Sequence, residues 1–178
     1  LPLWVYNIPQ TVKTAVAPIT IATLAGEGAV VGVKDSSGAG ELLAELNVLC
    51  EQGNIRLLRF LGTIYRTTNA GAIGVHGVIP AIANVVASAC AVGWEAGERG
   101  DTDVVRECNA KLVVATRIGQ LAKGGGPNAA SLSGFKSALK LMGVLDDDIV
   151  SRPLRNMTEQ EKAGLPDILK ELGLDHKH

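Results

Sequence analysis

Aromatic residues are scarce in this sequence, with two Trp, two Tyr and two Phe among 178 residues. Net charge is scarce too: 17 basic and 18 acidic side chains leave −1. A nucleic-acid-binding surface needs a basic stripe and commonly stacking rings, so both shortages argue against that class. Cysteine is limited to Cys50, Cys90 and Cys108, widely spaced and without a CxxC pair. That argues against a disulfide framework or a cysteine zinc site and fits a reducing cytoplasm. His76 has no HxxxH or HExxH partner, and His176 and His178 lie in the tail, so no histidine metal site is expected.

Long hydrophobic runs are also missing. The longest, from Gly77 to Gly93, is interrupted by Pro80 and Asn84, and Trp94 is followed at once by Glu95, so no membrane span is expected. The start "LPLWVYNIP" has neither the basic residues nor the apolar region of a signal peptide. It opens directly on a strand, which suggests that a longer chain lies upstream. The stretch "GAGELL" has GxG without the GxGxxG dinucleotide spacing, "KGGGPN" lacks the GK[ST] ending of a phosphate loop, and no GxSxG elbow occurs. Asp146-Asp147-Asp148 has no EF-hand pattern around it and reads as a solvated turn. The Asn156-Met157-Thr158 sequon reads as a chance match.

What the sequence does contain is enough apolar material, 47% of residues, for one sizeable core. Short β-like runs alternate with helical ones. "LWVYNIP" precedes a helical stretch around Ile19–Leu24, and "AVVGVK" precedes "GELLAELNVLCEQG". "IRLLRFLG" leads to "TIYRTTNAGA", and "GVHGVIPAI" leads to a helix from about Asn84 to Gly97. The strands are near-continuous apolar runs, as expected where helices cover both faces of a parallel sheet. Four β-α units in succession imply an α/β barrel or a doubly wound sheet. Past residue 100 the pattern is helical only, with helices expected over about Asp103–Leu121, Ala129–Met142 and Thr158–Leu172. Thr158 and Glu161 form a capping box for the last. Two regions follow: 1–100, built of β-α units, and 101–178, helical.

Lys34 ends the apolar run "AVVGVK". Such a lysine can snorkel its amine into solvent. At the C-terminal end of a barrel strand, where α/β barrels carry their active sites, it can instead serve as a nucleophile. Partial desolvation there disfavours the ammonium form and leaves a neutral amine able to attack a ketone. Tyr6 holds the matching place one β-α unit earlier, as an acid-base phenol or as an interface ring with a satisfied hydroxyl. Two reactive groups at successive strand ends make a stronger case together than either does alone.

The pairing "VYNIPQ" with "GVKDSSG" resembles the dihydrodipicolinate synthase/N-acetylneuraminate lyase family of class I aldolases, whose hallmarks are a Y-N-x-P and a G-x-K strand end one β-α unit apart. "RFLG", "GVIPAIANVV", "GGGPNAASLSGFKSALKLMGV" and "SRPLRNMTEQEKAGLPDILKELGL" extend the resemblance over essentially the whole chain. It implies the C-terminal half of a TIM (β/α)8 barrel, strands 5–8, followed by a helical extension. A complete barrel takes roughly 250 residues, so four further β-α units are expected upstream.

By the same resemblance, Lys34 forms a Schiff base with pyruvate or a related 2-oxo acid, and Tyr6 shuttles protons. Gly62 lies beside the substrate and the backbone of Ile79 near the lysine. No metal and no diffusible cofactor are implied. The partners are a small 2-oxo acid and an aldehyde, with no nucleic acid and no membrane, and the full-length protein is expected to be a cytoplasmic homo-oligomer. Thr11 stands where dihydrodipicolinate synthases usually carry an arginine for the aldehyde's carboxylate. Gly62 is followed by Thr63, Ile64 and Tyr65 rather than the acidic pair of sialic acid lyases. Thr11, Thr63 and Tyr65 are therefore the candidate specificity positions. The alternatives are a divergent dihydrodipicolinate synthase and an inactive half-barrel retained as an interaction module.

Overall fold

The computed structural model describes residues 1–38, 40–124 and 126–175. Gly125 of the glycine-rich loop and the tail histidines His176 and His178 lie outside the described residues. The chain divides into two compact units: Leu1–Pro80 with Val92–Val105, and Ala81–Ala91 with the chain from Arg106 onward.

The first unit is built on a four-stranded parallel sheet in the order β1 (Trp4–Asn7), β2 (Gly32–Asp35), β3 (Leu58–Leu61), β4 (Gly77–Val78). Crossovers run through α1 (Pro9–Val12) and α2 (Pro18–Gly26), then α3 (Glu41–Gly53), then two short 3-10 turns over Ile64–Asn69 and Gly71–Ile73. Ile21, Ala22 and Ala25 of α2 and Leu43, Leu46 and Cys50 of α3 meet Val33 and Leu61 in a common core. Leu43, Leu46, Val33 and Leu61 are fully buried, each worth about 1.5–3 kcal/mol relative to exposure.

Helices of this unit cover one face of the sheet, not both. Because side chains alternate along a strand, the opposite face carries Trp4, Tyr6, Leu58 and Ile79, which are between 42% and 52% exposed. The strands read as apolar on both sides because both faces do carry apolar side chains. On that second face Trp4 and Phe60 pack with ring centroids 5.5 Å apart. Gly32 lies beneath the indole, and a Cβ there would fall on the Trp4 ring.

Two strand readings shorten in the structure. β1 ends at Asn7 because Pro9, which has no N–H, opens the one-turn helix α1; the sequence periodicity gave no sign of α1. β4 comprises only Gly77–Val78, two residues before Pro80.

Helix α4 (Ala83–Arg99) is broken at Val86, whose φ/ψ of −120°/48° is not helical, and its residues are divided between the units. The second unit contains most of α5 (Thr102–Leu121), together with α6 (Pro127–Leu141), α7 (Glu159–Lys162) and α8 (Leu165–Glu171). α5 and α6 approach closely through glycine: a Cβ at Gly134 would lie 2.6 Å from the Ile118 carbonyl oxygen. The single helix expected over Thr158–Leu172 is two. Pro166 cannot donate to the Lys162 carbonyl and its ring crowds that turn, so the chain restarts with the proline in the first turn of α8. The capping box forms as read, with Glu161 N donating to Thr158 Oγ1 at 3.2 Å and Thr158 N donating to Glu161 Oε2 at 2.7 Å.

The aspartate run differs from the solvated turn that was expected. Asp148 is 7% exposed and accepts from Ser137 Oγ at 2.8 Å, while the Lys162 and Lys140 ammoniums stand 2.8 and 3.3 Å from its oxygens. The Lys162 hydrogen bond foremost, with Ser137 and Lys140, holds its carboxyl well below the usual carboxylate range. Asp148 thereby ties α6 to α7. The three cysteines are free and buried, and burial, with Cys108 nearby, pushes the Cys90 thiol up to about 11.

Candidate active site

The C-terminal ends of the four strands set the site. Each ladder continues one step beyond its strand: Ser36 N donates to Asn7 O at 2.8 Å, Gly62 N to Asp35 O at 2.7 Å, and Ile79 N to Leu61 O at 2.8 Å. This fixes the register, in which Tyr6 stands opposite Lys34 and Asn7 opposite Asp35.

Tyr6 and Lys34 share the open face of the sheet. Lys34 Nζ lies 3.4 Å from Tyr6 Oη, the long end of hydrogen-bond range, and 4.4 Å from the centroid of the phenol ring. The lysine is half-buried and the tyrosine 52% exposed, so both groups are open to a small ligand. On the far side of the lysine stem is Gly62. A Cβ there would fall on Ser36 Oγ and come within 2.9 Å of Lys34 Cε, so only glycine leaves the stem its place. Ile79, 46% exposed, ends the next strand.

The three specificity candidates are arranged differently. Thr11 is exposed on α1. The Tyr65 ring is 66% exposed in the turn after β3. The Thr63 hydroxyl is closed off from solvent and has no hydrogen-bond partner among the described residues. The structure thus gathers Tyr6, Lys34 and Gly62 tightly, with Ile79 at the neighbouring strand end, and leaves Thr11 and Tyr65 on the surface.

Sequence reasoning missed the residues behind this face. Asn7 is 1% and Asp35 0% exposed. Asn7 Nδ2 donates to Asp35 Oδ1 at 2.7 Å, and Ser37 gives that carboxylate two more hydrogen bonds, from its N–H at 3.1 Å and its hydroxyl at 2.9 Å. Asn7 Oδ1 accepts from Val16 N at 3.1 Å. Gln10 Nε2 reaches across to Ser36 O at 2.7 Å. The available signal was a polar residue directly after each reactive one, which strand alternation turns to the helix side. Among the described residues no group of three or more His, Cys, Asp or Glu gathers as a metal site, and no helix is long and apolar enough to cross a membrane.

The family model described as "Dihydrodipicolinate synthetase family" matches residues 1–172. The chain belongs to the dihydrodipicolinate synthetase family. Among curated proteins it is 29% identical over 174 residues to the 4-hydroxy-tetrahydrodipicolinate synthase of Desulfotalea psychrophila, covering 98% of this chain and 55% of the relative. It is 30% identical to that of Syntrophus aciditrophicus, covering 98% and 56%. Among solved structures, the dihydrodipicolinate synthase of Bacteroides thetaiotaomicron superposes with a TM-score of 0.84 at 26% identity, over 97% of this chain and 56% of that one. The chain spans about half the length of the family members it matches. Its four parallel β-α units followed by helices are half of the family's TIM barrel with the helical extension.

Proposed function

We propose that, in the complete protein, Lys34 forms a Schiff base with pyruvate or a related 2-oxo acid and that the resulting nucleophile adds to an aldehyde. The observation that carries the reading is the 3.4 Å approach of Lys34 Nζ to Tyr6 Oη at neighbouring strand ends, in a chain of a family whose named relatives are synthases. The neutral amine attacks the C2 carbonyl carbon, a C–N bond replaces the carbonyl π bond, and a proton passes from the nitrogen to the oxygen to give the carbinolamine. Tyr6 gives a proton to the departing C2 hydroxyl, which leaves as water and yields the iminium. The iminium withdraws electrons, so C3 loses a proton to the Tyr6 phenolate and the resulting enamine attacks the aldehyde carbon. Tyr6, reprotonated, supplies the proton for the new alkoxide. Water then releases the product and restores the amine. Run backwards, the sequence cleaves a 4-hydroxy-2-oxo acid.

Gly62 and the Ile79 backbone would border the bound 2-oxo acid, and the exposed Thr11 and Tyr65 would meet the aldehyde, whereas the Thr63 hydroxyl, closed off from solvent, is not offered to it in this structure. We assign the complete protein to the cytoplasm as a homo-oligomer; the three free cysteines support the cytoplasmic part of this reading.

A second reading, a divergent 4-hydroxy-tetrahydrodipicolinate synthase, is favoured by the names of the curated relatives. It is disfavoured by Thr11, which cannot replace a bidentate guanidinium clamp on a carboxylate. An aldehyde screen that includes aspartate semialdehyde separates the two. A wide preference for aspartate semialdehyde would overturn the inference from Thr11. Absence of any reducible pyruvate adduct at Lys34 in the complete protein would overturn the aldolase reading and leave the inactive half-barrel.

A further inference from the structure

We infer that the buried Asn7–Asp35 pair is the positioning device for the Tyr6–Lys34 site, and this rests on the aldolase reading above. Tyr6 and Lys34 are register partners, and so are the residues that follow each of them. The two pairs occupy opposite faces of the same two strand ends. On the open face the contact is loose, at 3.4 Å between half-exposed groups. On the covered face it is tight: Asn7 and Asp35 are 1% and 0% exposed and 2.7 Å apart.

A buried carboxylate is tolerated only when its oxygens are satisfied, and here Asn7 Nδ2, Ser37 N and Ser37 Oγ satisfy them. Asn7 Oδ1 in turn holds the chain at Val16 N. The network therefore fixes four things together: the ends of β1 and β2, the turn after Lys34, and the segment that enters α2. A one-residue change in β1–β2 pairing would carry Tyr6 away from Lys34, and it would also leave Asp35 buried without Asn7. The cost of breaking the hidden pair thus enforces the alignment of the reactive one. Asn7 and Asp35 touch no substrate in this scheme; they act through the backbone that bears Tyr6 and Lys34.

The test uses the complete protein and the variants Asp35→Asn, Asn7→Asp and the exchanged double variant, which restores one amide–carboxylate hydrogen bond with the direction reversed. Two readouts are taken on folded protein: the rate of borohydride-trapped pyruvate adduct at Lys34, and the acetylation rate of Lys34 by acetic anhydride relative to Lys111. Each single variant should slow adduct formation roughly tenfold or more, through kcat rather than KM, and should shift the relative acetylation rate of Lys34. The exchanged pair should recover much of both. Wild-type rates in the single variants, or an exchange that restores melting temperature without restoring either rate, would overturn the inference. If wild-type protein forms no pyruvate adduct, the aldolase reading fails, and the acetylation series still decides whether the pair positions Lys34. If Asp35→Asn does not fold, Ser37→Ala takes its place, because it removes one hydrogen bond and leaves the Asn7 contact. It should give a smaller change in the same direction, and an unchanged acetylation rate would count against the inference.

Discussion

The ammonium nitrogen of Lys34 lies over the ring of Tyr6, 4.4 Å from its centroid and 3.4 Å from its hydroxyl oxygen. The contact follows from register: β1 and β2 run parallel with these two residues directly paired. Residues 28 positions apart in the chain thereby become an amine and a proton donor within reach of one small carbonyl compound.

Tyr6→Phe keeps the ring against the lysine and removes only the hydroxyl. Loss of a positioned acid-base group costs typically 10²–10⁴-fold, so kcat for aldol addition should fall by about that range with KM for pyruvate little changed. Steady-state kinetics on the complete protein check this. An unaltered kcat would remove Tyr6 from the proton path.

Gly62→Ala places a methyl against Ser36 Oγ and within 2.9 Å of Lys34 Cε. Overpacking of this kind costs about 1–3 kcal/mol, and the flexible lysine stem is the part most able to move. The expected result is a folded protein in which Lys34 forms its pyruvate adduct on the order of tenfold more slowly. Adding Ser36→Gly should recover part of the loss, since it removes one of the two clashes.

The Asp148 contacts predict a pH dependence in the helical unit. Its folded-state carboxyl titrates below the unfolded value, mainly because Lys162 hydrogen-bonds to it. Its stabilising contribution is therefore complete above the unfolded value of about 4 and is lost as pH falls from there toward the lower folded value. Melting curves should show Asp148→Asn well below wild type at pH 7, with the gap closing as pH drops through 4 and below. Ser137→Ala, which removes a buried hydrogen bond to the charged group, should cost about 1–3 kcal/mol at pH 7. A gap between wild type and Asp148→Asn that does not change with pH would contradict this assignment.

Much of the fold was legible because hydrophobic periodicity reports burial directly. Leu43 and Leu46 of the apolar run in α3 are buried, although Val48 of the same run is exposed, and the strand before α3 ends near Lys34 as its apolar run does. The site was legible as two reactive residues at matched strand ends. Pairing distances, however, depend on register between strands that lie far apart in the chain. Asn7 and Asp35 escaped notice because a polar residue at a strand end reads as loop; only the structure shows them buried against each other. Asp148 was misread for the same reason. Three consecutive aspartates look solvated until Lys140, Lys162 and Ser137 are brought to one of them by the packing of α6 and α7. The interruption of the last helix is written in Gly164-Leu165-Pro166, because a proline lacks the N–H that a continuing helix would use and belongs in a first turn.

The most direct measurement is reduction of the complete protein with borohydride in the presence of pyruvate, followed by peptide mass mapping, with Lys34→Arg as the control. The expected result is one reduced adduct, on Lys34, that depends on pyruvate and is absent from the control. No adduct, or an adduct on another lysine with Lys34 unmodified, would contradict the assignment of Lys34 as the Schiff-base nucleophile.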